Sequence, residues 1–129
     1  MQVLLDTHTL LWFFSGNENI SIIARELIED TNNLKYISLA SVWEMAIKQS
    51  KGRLNLSVPI DDYIQQKIQL NDFKILDIQL SHLQTVSNLP FHHNDPFDRL
   101  LIAQAMVKNI PIVSRDSMFD SYKVNLIRI

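Results

Sequence analysis

Two runs, QVLL at residues 2–5 and PIVS at residues 111–114, are too short for helices and apolar at consecutive positions rather than at alternating ones. That pattern marks strands buried on both faces, which occur where helices cover a parallel sheet on either side. LKYIS (34–38) and FKILDI (73–78) read as further strands, and YKVNLIRI (122–129) closes the chain with alternating character. Helical segments separate them. DTHTLLWFF turns helical after the first strand, with Thr7 or Thr9 as its N-cap, until SGNEN breaks it. A second helix starts near Ser21, with Ile22, Ile23, Leu27 and Ile28 at helical spacing, and ends at TNN (31–33). SLASVWEMAIKQSKGRL (38–54) places Val42, Met45, Ala46 and the stem of Gln49 on related faces, with Gly52 positioned to end the helix. Pro59 opens PIDDYIQQKIQL as a first-turn proline ahead of an Ile60, Ile64, Ile68 stripe. SHLQTVSNL (81–89) is a short helix, PFHHNDPF (90–97) an irregular loop, and DRLLIAQAMVKN (98–109) the strongest helix of the chain. Strands alternating with helices imply an α/β fold: a central, mostly parallel sheet flanked by helices.

At 129 residues the chain has the length of one domain, residues 1–129, able to bury a real core. Its 47% hydrophobic and 20% charged residues are those of an ordinary globular protein. No apolar stretch is long enough for a membrane span, and Asp6 interrupts the opening run too early for a secretory leader, so the expectation is a cytoplasmic protein with no membrane association. The absence of cysteine excludes disulfides, thiolate metal sites and cysteine nucleophiles, leaving oxygen and imidazole as the only metal ligands. A formal net charge of -2 counts mildly against a protein that grips nucleic acid over its whole surface. Acidic residues gathered in one metal pocket would bias that total, since bound divalent ions reverse the local sign.

Asp6, Glu44, Asp98 and Asp116 supply such a gathering. Asp6 follows a strand, Asp98 opens a helix after a loop, Asp116 lies two residues past a strand, and Glu44 sits early in a helix. In an open parallel sheet these positions converge beyond the carboxyl ends of the strands, where ligands bind. Carboxylates clustered there suit Mg²⁺ or Mn²⁺, which take oxygen ligands together with water and substrate phosphate. Structural roles compete at every position. Asp98 could cap its helix and Asp116 could initiate a turn. Ser41 and Glu44 have capping-box spacing, and Glu44 with Lys48 forms an i, i+4 pair. A helix already begun at Ser38 and Leu39 would, however, put Glu44 on the second turn, where no cap is needed. Asp6 is hardest to explain away, because an acid directly after a buried strand is desolvated unless something positive compensates.

Taken together, LLDTHTLLWF (4–13), SVWEMAIKQSKGRL (41–54), LPFHHNDPFDRLLIAQA (89–105) and IPIVSRDSMFDSYKV (110–124) resemble the PIN-domain ribonucleases, specifically the VapC-type toxins of bacterial toxin–antitoxin modules. The resemblance implies a three-layer PIN-like fold and metal-dependent endonucleolytic hydrolysis of RNA. It places the family's acidic positions on Asp6, Glu44, Asp98 and Asp116, with Mg²⁺ or Mn²⁺ as cofactor and Thr7 and Ser114 beside the first and last acids. It further implies a cognate antitoxin whose tail covers the pocket, and a homodimer. Asp6 and Asp98 are the foremost ligand candidates, with Asp116 and Glu44 completing the shell directly or through water.

Other side chains carry weaker signals. His92, His93 and Asp95 could ligate a transition metal, but adjacent histidines in an extended loop tend to point apart, so ordering the loop or positioning RNA is the better reading. Asp95 could instead support Asp98 or initiate the turn before Pro96. Lys48, Lys51 and Arg53 make a modest basic patch that could guide phosphate or simply meet a helix terminus. Trp12, Phe13, Phe14 and Trp43 are core or interface anchors sooner than base-stacking platforms. Two other functions compete: a non-catalytic RNA- or protein-binding module of the same fold, and a Mg²⁺-binding phosphoacceptor receiver. The lone Asp6 after the first strand disfavours the receiver, which needs paired acids there.

Overall fold

The computed structural model describes residues 1–129. Five strands, β1 (Gln2–Leu5), β2 (Leu34–Ser38), β3 (Lys74–Leu76), β4 (Ile112–Ser114) and β5 (Leu126–Arg128), form one sheet in the order β3-β2-β1-β4-β5. Every adjacent pair is parallel. The order reverses between β1 and β4, where Leu5 pairs with Val113. This is the switch point at which a doubly wound sheet opens a crevice. A receiver of the flavodoxin-like order would place β1 between β2 and β3, so the strand order excludes that reading.

Alternation along β1 divides the core. Val3 and Leu5 join Leu10, Ile28, Ile37, Met45, Tyr63 and Ile68 on one face, which is covered by α1 (Thr7–Ser15), α2 (Ile22–Glu29), α3 (Leu39–Ser50) and α4 (Ile60–Tyr63). Leu4 points to the other face and meets Leu101, Ile102 and Ala105 of α6 (Pro96–Lys108), along with Ile112 and Phe119. Val86 of α5 (Leu80–Ser87) and Leu89 join this second cluster. Helices on both faces of a parallel sheet give the expected three layers. α6 is buried over the consecutive residues Arg99 to Ala105, because α5 covers the side that the sheet does not.

Several local expectations change. Asp6, not Thr7 or Thr9, caps α1, its carboxylate accepting the Thr9 amide. The two threonines instead bond across elements, Thr7 Oγ1 to Ser41 Oγ at 2.9 Å and Thr9 Oγ1 to the Val113 carbonyl at 3.1 Å. Ile22 and Ile23 are exposed, and α2 is held to the core by Ala24 and Ile28. Pro59 is the N-cap of α4 rather than its first turn, and after Tyr63 the chain widens into a π-helical turn over Ile64–Ile68. The isoleucine stripe survives that widening, with Ile68 fully buried. Gly52 takes the left-handed conformation (φ 69°) that closes α3, and Arg53 donates back to the Lys48 carbonyl. Rising 1.5 Å per residue, α3 carries Lys51 about 10 Å along its axis from Glu44. Of the basic patch, Lys48 is the residue paired with an acid of the pocket, 3.2 Å from Glu44.

Candidate active site at the switch point

Near the point where the strand order reverses, Ser114 links Asp6 to Asp116, and the charges of Asp6 and Glu44 are felt at Asp98. Burial desolvates Asp6 and raises its pKa, while the Ser114 hydroxyl, the Thr9 side chain and amide, and the charge of His8 oppose the rise. The Ser114 hydroxyl donates to Asp6 Oδ2 and accepts the Asp116 amide at 3.0 Å. One side chain at the end of β4 thereby ties together the acids that follow β1 and β4. A cavity of about 280 Å³ opens here, lined by Asp6, His8, Trp12, Arg115 and Asp116.

Glu44 enters from α3. Ser38 caps that helix through the Ala40 amide, so the capping-box reading of Ser41 and Glu44 fails and Ser41 bonds Thr7 instead. Glu44 is buried, with Lys48 at 3.2 Å as its i, i+4 partner. Asp98 enters from α6 but does not cap it. Asp95 does, its Oδ1 accepting the Phe97 and Asp98 amides at 2.9 and 3.0 Å. Released from capping, the Asp98 carboxyl faces the pocket and its pKa is pushed up to about 7, by burial first and then by the charges of Asp95, Asp6 and Glu44, with His93 acting in the opposite direction. Asp116 does initiate a turn, Oδ1 accepting the Met118 amide at 2.9 Å, yet its Oδ2 remains in the site.

Carboxylates that press on one another in this way are short of positive charge, which is the condition a divalent cation relieves. The oxygen donors these carboxylates offer are of the type that suits Mg²⁺ or Mn²⁺, and of the four it is Asp98 and Asp116 whose ligand atoms, with that of His93, lie within 4.8 Å of one another.

The sequence model of the PIN domain family matches residues 3–125. The chain belongs to the PIN domain family. A curated relative, ribonuclease VapC22 of Mycobacterium tuberculosis, is 28% identical over 122 residues, 94% of this chain and 92% of that protein. VapBC2 from Rickettsia felis, solved bound to a DNA fragment from its promoter, superposes with a TM-score of 0.75 at 17% identity over 99% of this chain and 98% of that one. A toxin–antitoxin complex from Klebsiella pneumoniae gives a TM-score of 0.67 at 18% identity, covering 97% and 95%. The chain is thus a homologue of a VapC-type PIN ribonuclease, with the expected fold.

The PIN pocket of this chain also takes in His93, for which the sequence favours ordering the loop or positioning RNA; it does order the loop, its Nδ1 accepting the Asp95 amide, and its ring also reaches the acids. His93 does not pair with His92 or join a transition-metal set with Asp95. Its Nε2 lies 2.9 Å from Asp116 Oδ2 and 3.2 Å from Asp98 Oδ2, and ligand atoms of the three residues fall within 4.8 Å of one another. His92 points away, edge-on to the Tyr122 ring. The spacing that could have flagged His93 is its position five residues before Asp98, but only the folded loop turns its ring inward.

Arg99 is the residue that sequence reasoning misses. Buried beneath the 88–95 loop, its guanidinium donates to the carbonyls of Val86, Leu89, Pro90 and His93 at 2.9–3.3 Å and lies 4.1 Å from the Phe91 ring. Phe13 and Phe14 pack on Phe73 as anchors, whereas Trp43 is 58% exposed and edge-on to Phe97.

Proposed function

We propose that the protein is a Mg²⁺- or Mn²⁺-dependent endoribonuclease, residues 1–129 working as one PIN unit, and that it is the toxin of a toxin–antitoxin module. The observation that carries this reading is the convergence of Asp6, Glu44, Asp98 and Asp116 at the switch point, with Asp98 pushed up to about 7 by its neighbours and its burial. Asp6, Asp98 and Asp116 would hold the cation, and Glu44 would complete the set directly or through a water. A divalent ion bound there supplies an activated water and charge stabilisation for the leaving oxygen of a phosphodiester. The chain's own contribution is orientation. Ser114 and the Thr9 amide fix Asp6, and the Met118 amide fixes Asp116. Lys48, beside Glu44, is placed to meet phosphate once that acid engages a cation.

The name ribonuclease on the Mycobacterium tuberculosis relative supports RNA as the substrate, and the Klebsiella pneumoniae complex supports a cognate antitoxin as partner. An apolar groove of about 420 Å³, lined by Leu11, Trp12, Phe14, Leu54, Leu56 and Tyr63 among others, suits an antitoxin segment. Exposed Leu39 and Trp43, one turn apart on α3, suit a homodimer contact. No helix is long and apolar enough to cross a membrane, which is compatible with action in the cytoplasm.

The test is cleavage of a panel of structured RNAs by antitoxin-free protein in Mg²⁺ or Mn²⁺, against EDTA and Asp6→Asn. The expected result is metal-dependent cutting, reduced at least a hundredfold by Asp6→Asn. Cutting that persists at full rate in both controls would overturn the assignment. RNA bound tightly but left intact across the panel would favour the non-catalytic module.

A further inference from the structure

We propose that His93 is a positioning residue of the carboxylate pocket: its Nε2–H bridges Asp98 and Asp116, and its own Nδ1 hydrogen bond keeps the ring out of the metal's coordination shell. The inference rests on the metal-site reading above and adds to the four acids a residue that holds two of them in register.

The hydrogen-bond pattern decides between donor and ligand. His93 Nδ1 accepts the Asp95 amide at 3.1 Å. A neutral imidazole carries one N–H, so with Nδ1 accepting, the hydrogen is on Nε2 and is donated toward the Oδ2 atoms of Asp116 and Asp98. Ligation through Nε2 would require the opposite tautomer, with an Nδ1–H driven against the Asp95 N–H. Metal-bound imidazoles normally present their second nitrogen to an acceptor. Here it meets a donor that has no freedom to leave. Asp95 caps α6 through the Phe97 and Asp98 amides, and its carbonyl accepts the Arg99 amide at 3.0 Å.

The ring is held as firmly as its partners. The His93 amide donates to the Tyr122 hydroxyl at 2.8 Å, and that hydroxyl donates to the Pro90 carbonyl at 2.7 Å. The His93 carbonyl accepts from Arg99, and the ring lies against Phe119 with centroids 5.9 Å apart. A donor fixed at this point selects which oxygens remain for a cation. Oδ2 of each acid is turned toward the imidazole, and Asp116 Oδ1 already accepts the Met118 amide. Oδ1 of Asp98, free of the bridge, and the second lone pairs of the Asp116 oxygens would then be what these two acids offer a cation. Without the bridge, two carboxylates of like charge rotate apart and the preformed site is lost.

The experiment measures Mn²⁺ binding to the antitoxin-free full chain by calorimetry, and pulsed electron paramagnetic resonance of the Mn²⁺-loaded protein, for the parent, His93→Ala, His93→Gln and Asp98→Asn. Asp98→Asn locates the ion in this pocket by losing it. The expected results are about 10- to 100-fold weaker Mn²⁺ binding in His93→Ala, recovery of part of that loss in His93→Gln, whose amide can both donate and accept, and no imidazole nitrogen coupling that depends on His93. Nitrogen coupling present in the parent and absent in His93→Ala would make His93 a ligand and overturn the proposal. Unchanged or tighter binding in His93→Ala would overturn it as well, since the ring would then only fill the cation's place. The coupling measurement in the parent, with His93→Gln as the second variant, stands even if His93→Ala fails to fold. A folded parent that binds no Mn²⁺ would remove the metal site itself, whereas a parent that binds while the His93 variants match it would remove only the role of His93.

Discussion

The two sides of the pocket solve the same electrostatic problem with different materials. Around Asp6 the supports belong to regular structure: the carboxylate caps α1, takes a hydroxyl from the end of β4, and sits between helices joined by the Thr7–Ser41 bond. Around Asp98 the supports hang on an irregular loop, residues 88–95, whose carbonyls converge on Arg99 and whose histidine reaches back to two acids. Burial raises the pKa of both carboxyls, but Asp6 receives compensating hydrogen bonds, while Asp98 has His93 and three acidic neighbours. A site made from strand ends is thus satisfied by its own fold. One made from a loop stays charge-strained and ready for a cation.

The loop side should consequently break hardest. Arg99→Ala strips donors from four carbonyls, that of Leu89 in a buried bond and the other three in part-buried ones, and removes the guanidinium packed against Phe91. Leaving buried acceptors unmet costs about 1–3 kcal/mol each in isolation and less than the sum when they share one donor, so a loss of about 3 kcal/mol or more is expected from urea midpoints at constant slope. Thr9→Val, which removes one cross-element bond on the Asp6 side, should cost about 1 kcal/mol. Equal losses in the two variants would erase the contrast between loop and scaffold.

Asp98 sharpens it through pH. The folded protein holds the proton on this carboxyl up to about 7, whereas the unfolded chain releases it near the ordinary 3.8. The folded state binds the proton more tightly, so metal-free protein is most stable below about pH 4 with respect to this group and loses stability as pH rises toward 7. Asp98→Asn keeps the shape without the charge. In EDTA at pH 8 it should stabilise the protein by on the order of 2 kcal/mol and flatten the decline between pH 4 and 7. It should also abolish the thermal shift that Mn²⁺ gives the parent. A mutant as pH-sensitive as the parent, or as responsive to Mn²⁺, would show that the strain lies elsewhere.

How far each side was legible in the sequence follows from the same difference. QVLL, LKYIS and PIVS declare buried strands by composition, and Asp6 and Ser114 follow from where those strands stop. Their juxtaposition needs only adjacent parallel strands. The capping assignments were less legible, because Asp6, Thr7 and Thr9 are all competent caps, and only the bonds made by Thr7 and Thr9 to other elements leave the role to Asp6. On the loop side, Asp95 and Asp98 both lie at a helix start, and a one-turn choice decides which acid is spent on amides and which is released into the pocket. The direction of the His93 ring and the role of Arg99 were out of reach for a related reason. No periodicity governs PFHHNDPF, and a histidine's direction there is set by Tyr122, 29 residues away in sequence.

Ser114 is where the two sides join, and it gives the smallest and most discriminating effect. Its hydroxyl donates to Asp6 and accepts the Asp116 amide, so Ser114→Ala unlinks the strand-end acid from the acid that His93 holds. The lost donor stabilises the ionised form of Asp6, whose pKa burial already raises. Removing it should raise that pKa further. The destabilisation should therefore be about 1 kcal/mol at pH 8 and shrink as pH falls and Asp6 takes up its proton. Ser114→Thr keeps the hydroxyl on a β-branched side chain suited to a strand and should remain within about 0.5 kcal/mol of the parent. A Ser114→Ala loss that is independent of pH would assign the hydroxyl to the Asp116 amide alone. The Asp6 side would then owe its order to the α1 cap, and the two halves of the pocket would be coupled only through the cation they share.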